Sequence, residues 1–327
     1  MLAFVIRRLW QAALVMLVVA FVAFSLFQYV GDPVLAMVGQ DATPEQRDEL
    51  RRDLGLDRPF YVQFGRFVSN AVQGEFGLSF RQGRKVSTLL RERLPATLEL
   101  SMCAAALALL VGVPMGVYTA LRRGGFLANL LLAVSLIGVS LPTFLIGILL
   151  VLAFAVWLGW LPSYGRGDTV ALGWWSSGLF TADGLKHLVL PSITLCLFQL
   201  TLIMRLVRAE MLEVLRTDYV RFARARGLSD RTVHFGHALK NTLVPVITIA
   251  GLQLGAIIAF AIITETVFQW PGMGLLFIQA VQSADIPIMA AYLCLIALVF
   301  VVINLVVDLL YFAVDPRLRI ERAGAAP

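Results

Sequence analysis

Long apolar runs separated by short charged stretches dominate the chain. The runs lie near Leu9–Val30, Leu100–Leu121, Leu136–Leu158, Leu188–Met204, Leu243–Val267 and Ile288–Val314. Each reaches the roughly 17–25 residues that a helix needs to cross a bilayer. The pattern predicts an all-α polytopic membrane protein with six transmembrane helices and both ends on the cytoplasmic side. One run is ambiguous. Phe126–Trp157 has Pro142 in its middle and reads as one long span or two short ones. Two spans would be about 16 residues each, shorter than a bilayer requires, and would invert everything that follows. One span is therefore expected, with Phe126–Ser135 as an interfacial lead-in.

The polar exception is the stretch Arg205–Pro245. Between Arg205 and Lys240 stand eight Lys/Arg and four Asp/Glu. Each Lys or Arg at a membrane centre costs about 2.5–3.5 kcal/mol, so eight would cost on the order of 20 kcal/mol. This stretch lies outside the hydrocarbon, and its net positive charge places it in the cytoplasm. The same asymmetry runs along the chain. Arg7/Arg8, Arg122/Arg123 and Arg317/Arg319/Arg322 fall on the inner side. Phe268–Pro287 on the outer side has no Lys or Arg, and Gly159–His187 has only Arg166 and Lys186. The first outer segment, Gly31–Ala96, carries ten basic and nine acidic residues. Its length exempts it from the charge rule. It predicts one or two amphipathic surface helices, with Pro44 in a first turn and Gly55 at a stop.

Composition agrees with a bilayer as solvent: 59% of residues are hydrophobic and 15% charged, against about 25% charged in soluble domains. The net charge of +6 clusters beside the spans, which favours topology over nucleic acid as its explanation. Cys103, Cys196 and Cys294 all fall in apolar runs without metal-ligand spacing. Leu9–Val30 is too long for the apolar core of a signal peptide and reads as a retained first span. Gly112-x-x-x-Gly116 and Gly251-x-x-x-Gly255 fit close helix packing or the ordinary glycine content of membrane helices. Catalytic patterns are missing. The three lysines follow Arg84, Leu185 and Leu239, so none completes a P-loop. His234 and His237 have no Cys or third His nearby. No zincin motif or Gly-x-Ser-x-Gly elbow occurs.

The basic stretch resembles the cytoplasmic signature of binding-protein-dependent ABC importer permeases. Ala223-Arg224-Ala225-Arg226-Gly227-Leu228-Ser229 fills its first part, and His237-Ala238-Leu239-Lys240-Asn241-Thr242-Leu243-Val244-Pro245 its second. The long glycine-to-proline spacing is similar to the dipeptide/oligopeptide/nickel branch. Further likeness lies in Leu54–Pro59, Gly74–Ser79, Arg93–Leu98, Val139–Pro142, Leu158–Pro162 and Glu265–Gly274. Two departures stand out: Arg221 replaces the family's glutamate, and Val244 replaces the leucine before Pro245.

The resemblance implies a type I importer permease that transports peptides, with nickel or glutathione import as alternatives. It implies a second homologous permease subunit, two ABC ATPase subunits that hold ATP and Mg, an extracytoplasmic solute-binding protein, and no cofactor or metal on this chain. It also implies that Ala223–Ser229 couples to an ATPase, and that spans bearing Gln199, Thr201, Gln253 and Glu265 line the translocation path. Physically, Gly227 is suited to a left-handed helix end, Ser229 or Asp230 to capping the next helix, and Pro245 to the entry of the fifth span. Small Ala223 and Ala225 suit close approach to a partner. Glu265 admits three readings: substrate amine contact, gate, or interfacial exposure. Glu99 is expected to be solvated at a span entrance, and Asp308 to pair with an Arg of a partner or to serve packing. Gly31–Ala96 is expected to touch the binding protein, to plug the cavity, or only to cover surface. Two rivals are a secondary transporter, for which no repeated halves are found, and a membrane enzyme, for which no acid–base or metal constellation is found.

Overall fold

The computed structural model describes residues 2–29, 34, 43–53 and 57–314. Helices account for almost all of them. Helix α1 is Leu2–Tyr29, α2 Pro44–Asp53, α3 Phe60–Val72 and α4 Val86–Leu121. Helix α5 is Phe126–Ser140, and α6, Thr143–Leu150, continues as a π-helical segment to Trp157. A small hairpin, β1 Val170–Leu172 and β2 Trp175–Ser177, precedes α7, Ala182–Val214. Then come α8 Asp218–Ala225, a π-helical segment Thr232–Ala238 leading into α9 Leu239–Val267, α10 Met273–Gln282, and α11 Ile286–Val314.

Within α1, α4, α7, α9 and α11, five candidate membrane spans stand alone, and the bent pair α5–α6 makes a sixth when counted as one span. The run expected as one span forms as a bent helix pair. The chain breaks at Leu141 and Pro142, and the two halves meet at 111°. Leu141, forced out of the helical region by the following proline, adopts φ −99°, ψ 140°, and Pro142 adopts ψ 139°. The segment Phe126–Ser135, read as an interfacial lead-in, is instead most of a regular helix. Pro245 opens the fifth candidate span, Pro245–Val267, as expected, but the helix itself starts earlier, so the proline lies inside α9.

The chain divides into two compact units. In the first (1–97, 171–176, 271–302), α1 meets α3 through aromatic edges. Phe24 lies 5.1 Å from Phe60, 5.6 Å from Phe64 and 5.7 Å from Phe67, centroid to centroid. Such edge-on and tilted geometries suit the ring quadrupole. The α2 start has a capping box: the Gln46 amide N–H donates to Thr43 Oγ1 and the Thr43 N–H to Gln46 Oε1. Pro44 opens this helix; Gly55 lies outside the described residues. A second core joins Val86, Leu89 and Leu90 to Met273, Leu276 and Ala280 of α10 and to Ile288, Ala291 and Tyr292 of α11. Helix α10 falls in a stretch read as a plain outer segment. Asp285, 1% exposed, closes a turn in this unit: it accepts from the Ser79 hydroxyl and from the amides of Phe80 (3.3 Å) and Arg81 (3.2 Å).

The second unit (98–170, 177–270, 303–327) packs α5, α6, α9 and the later part of α4 around α7. Glycine sets the spacing. A Cβ on Gly116 would stand 2.6 Å from Val207 Cβ and 2.7 Å from the Met204 carbonyl oxygen. One on Gly112 would stand 3.1 Å from the Leu200 carbonyl. The Gly112/Gly116 pair therefore marks a helix contact in which backbones approach closely. Gly251 likewise faces Val307.

Candidate functional site

The basic stretch is a helical hairpin. Helix α7 runs past the apolar run that ends at Met204 on to Val214, α8 is a two-turn helix, and the chain returns through Thr232–Ala238 into α9. Helix α8 ends in a Schellman arrangement. The Gly227 N–H donates to the Arg224 carbonyl at 2.9 Å, and the Leu228 N–H to the Ala223 carbonyl at 3.4 Å. Gly227 has φ +79°, where a side chain would strain the backbone, and no neighbour lies within 4 Å of a Cβ built there. The demand for glycine at this position is conformational, not steric. Ser229 caps the next helix: its Oγ accepts from the Thr232 N–H at 3.3 Å and its carbonyl from the Val233 N–H at 3.0 Å.

The hairpin has a core of its own. Val220 and Ala223 pack against Val233 with Val214 and Leu215 beside them. Ala223 thus faces inward, while Arg224, Ala225, Arg226, Gly227, Leu228 and Ser229 are exposed. Around this turn stand large apolar groups in the open: Phe222 at 64%, Phe235 at 53%, Tyr219 and Leu228. The Arg226 guanidinium sits 5.8 Å from the Phe222 ring centre, within cation–π range. Tyr219 accepts at its hydroxyl from the Asn241 side-chain amide at 2.7 Å, which ties α8 to the start of α9. Such a cluster beside arginines is unusual for a solvated loop and usual for an interface.

The polar groups read as lining a path fall in the second unit. Thr201 is 1% exposed, and its hydroxyl donates to the Ser135 carbonyl at 2.7 Å and lies 2.9 Å from the Leu197 carbonyl. It therefore joins α7 to α5. Gln199 is buried, and its Oε1 has no hydrogen-bond donor among the described residues. The hydroxyls of Ser101, Ser192 and Thr264 share that condition. Gln253 is half-buried. Glu265 is fully buried, which removes interfacial exposure from its three readings.

Glu99 overturns its expected solvation. It is 4% exposed and pairs with Arg166, which is 8% exposed. Its Oε1 also accepts from the Ser177 hydroxyl at 2.8 Å and from the amides of Gly178 at 2.9 Å and Leu179 at 3.0 Å. Arg166 in turn lies over the Trp270 ring at 5.9 Å. Reading the sequence missed this cluster because it weighed each charge only against the bilayer. The available signal was two opposite charges at the mouths of outer segments.

Comparison with known proteins places this architecture. A family described as "Binding-protein-dependent transport system inner membrane component" matches residues 112–320, and its N-terminal companion matches residues 1–101. The chain belongs to this family. It is a multi-pass protein of the inner membrane. Among its relatives is the dipeptide transport system permease protein DppB of Alkalihalophilus pseudofirmus, 36% identical over 98% of this chain and 100% of that one. The di/tripeptide permease DppB of Pseudomonas aeruginosa is 40% identical over the same shares. DppB of Escherichia coli K12 is 37% identical over 98% and 99%. The inward-facing MetNI methionine ABC transporter shares the fold, with a TM-score of 0.56 over 69% of this chain and 96% of that one at 19% identity. The all-α type I importer permease architecture expected from the sequence is thus present.

Proposed function

We propose that the chain forms half of the translocation path of a peptide importer of the dipeptide/oligopeptide type. Full-length likeness at 36–40% identity to permeases named for dipeptides and di/tripeptides supports the substrate class. A second permease subunit, two ATPases carrying ATP and Mg, and an extracytoplasmic binding protein complete the transporter. No covalent chemistry falls to this chain. The segment Gly31–Ala96 faces the outside, and residues 205–242 couple transport to ATP.

The observation that carries the coupling role is the hairpin: a rigid two-turn helix closed by Gly227, with its own core, presenting Tyr219, Phe222, Leu228 and Phe235. Its inward residues Val220 and Ala223 make it a lever that moves as a body. Its outward apolar groups supply a buried centre for an interface, and the surrounding arginines a charged rim. ATP-driven closure of the ATPases acts by favouring one permease conformation over another. On α4, α7 and α9, buried polar atoms with no hydrogen-bond partner among the described residues (Ser101, Ser192, Gln199, Thr264) call for water or a passing polar solute. That supports a path beside Gln199, Gln253 and Glu265, with Thr201 setting the position of α7.

The test is recovery of the ATPase subunits with the tagged permease. Phe222→Ala combined with Leu228→Ala should abolish recovery while the protein still inserts. Undiminished recovery would remove the hairpin from the interface.

A further inference from the structure

Helices α5 and α7 approach closely at Gly138, where a Cβ would lie 2.7 Å from the Leu197 carbonyl oxygen and 2.9 Å from Thr201 Oγ1. Toward the charged end of α7 a cavity of about 520 Å³ lies between the same two helices. Leu132, Ser135 and Leu136 of α5 line one wall; Arg205, Arg208 and Leu212 of α7 line the other. Among the described residues neither guanidinium takes part in an ion pair or side-chain hydrogen bond. Arg205 is the first charged residue after the apolar run that ends at Met204, which sets it at headgroup depth.

We propose that this cleft binds an anionic phospholipid, its phosphate held by Arg205 and Arg208 and its acyl chain against Leu132, Leu136 and Leu212. Two guanidiniums one turn apart share a helix face. They match the planar, multi-donor recognition that phosphate oxygens favour. Free phosphate satisfies the arginines but has no use for leucine walls. A phospholipid uses both, and basic pockets between membrane helices are suited to such headgroups. Occupancy would wedge α5 against the stem of the hairpin at the point where α7 leaves the membrane.

The test is native mass spectrometry of the purified full-length chain presented with phosphatidylglycerol or phosphatidylcholine. Phosphatidylglycerol should be retained and phosphatidylcholine lost. The double variant Arg205→Gln/Arg208→Gln should weaken retention on the order of thirtyfold, about fivefold for each arginine. Arg205→Lys/Arg208→Lys, which keeps the charge but not the planar fork, should weaken binding less than the Gln double variant does. Leu136→Trp, which fills the cleft without touching charge, should also weaken it. Equal retention of the two lipids, or unchanged binding by the Gln double variant, overturns the proposal. So does displacement by inorganic phosphate with no effect of Leu136→Trp, which would make this a soluble-phosphate site. In the assembled transporter, a photoactivatable crosslinker at position 205 should label lipid. Labelling of another subunit instead assigns the arginines to a protein carboxylate and also overturns it. None of these readouts depends on the substrate carried.

Discussion

Removal of the Glu99 carboxylate should be the most damaging single change away from the hairpin. Glu99 and Arg166 are both buried, with side chains 1% and 8% exposed. In Glu99→Ala the Arg166 guanidinium loses the Glu99 carboxylate, and breaking a buried pair from one side costs about 3–5 kcal/mol. The Ser177 hydroxyl and the Gly178 amide lose their acceptor as well, and the Leu179 amide keeps only Ser177 Oγ at 3.2 Å. Each buried group left unpaired costs roughly 1–3 kcal/mol, but water admitted to the vacated volume recovers part, and the sum is less than additive. A net loss of about 4 kcal/mol is expected, and the apparent unfolding midpoint should fall on the order of 5–10 °C. The three free cysteines provide the assay, because Cys196 and Cys294 are buried and Cys103 is half-buried. Heating in the presence of a thiol-reactive dye reports their exposure. Arg166→Met alone should be similarly harmful, whereas Glu99→Gln/Arg166→Met should be milder than the two single changes combined, since both sides of this pair are removed together. Additive losses, or a Glu99→Ala midpoint within about 1 °C of the parent, would refute the claim that this ion pair fastens Arg166 and Ser177–Leu179 to α4.

Gly227→Val should strain the backbone at φ +79° by about 1–2 kcal/mol, leaving insertion intact but uncoupling ATP hydrolysis from uptake; Gly227→Asn, which tolerates that region, should retain most transport in a vesicle uptake assay. Gly116→Val should destabilise by about 1–3 kcal/mol through overpacking against Val207 and Met204, whereas Gly65→Ala, with open space around it, should leave thermal stability nearly unchanged. Asp285→Ala should free the amides of Phe80 and Arg81, raising their hydrogen-exchange rates while residues of the α7 core keep theirs.

Apolar run length and charge determined the spans and marked the basic hairpin, because transfer free energy is a property of a segment and needs no partner. Local backbone chemistry likewise made Gly227 a helix end and Ser229 a cap, since both devices close within a few residues. Proline chemistry hinted at a break in Phe126–Trp157, but a 111° bend depends on what each half packs against. Helix α10 was hidden because much of its burial comes from Val86, Leu89 and Leu90, distant in the chain. The fates of Glu99 and Asp285 were decided only by tertiary structure. A lone carboxylate in a sequence carries a desolvation penalty, and whether it must stay in water turns on donors supplied 67 to 206 residues away.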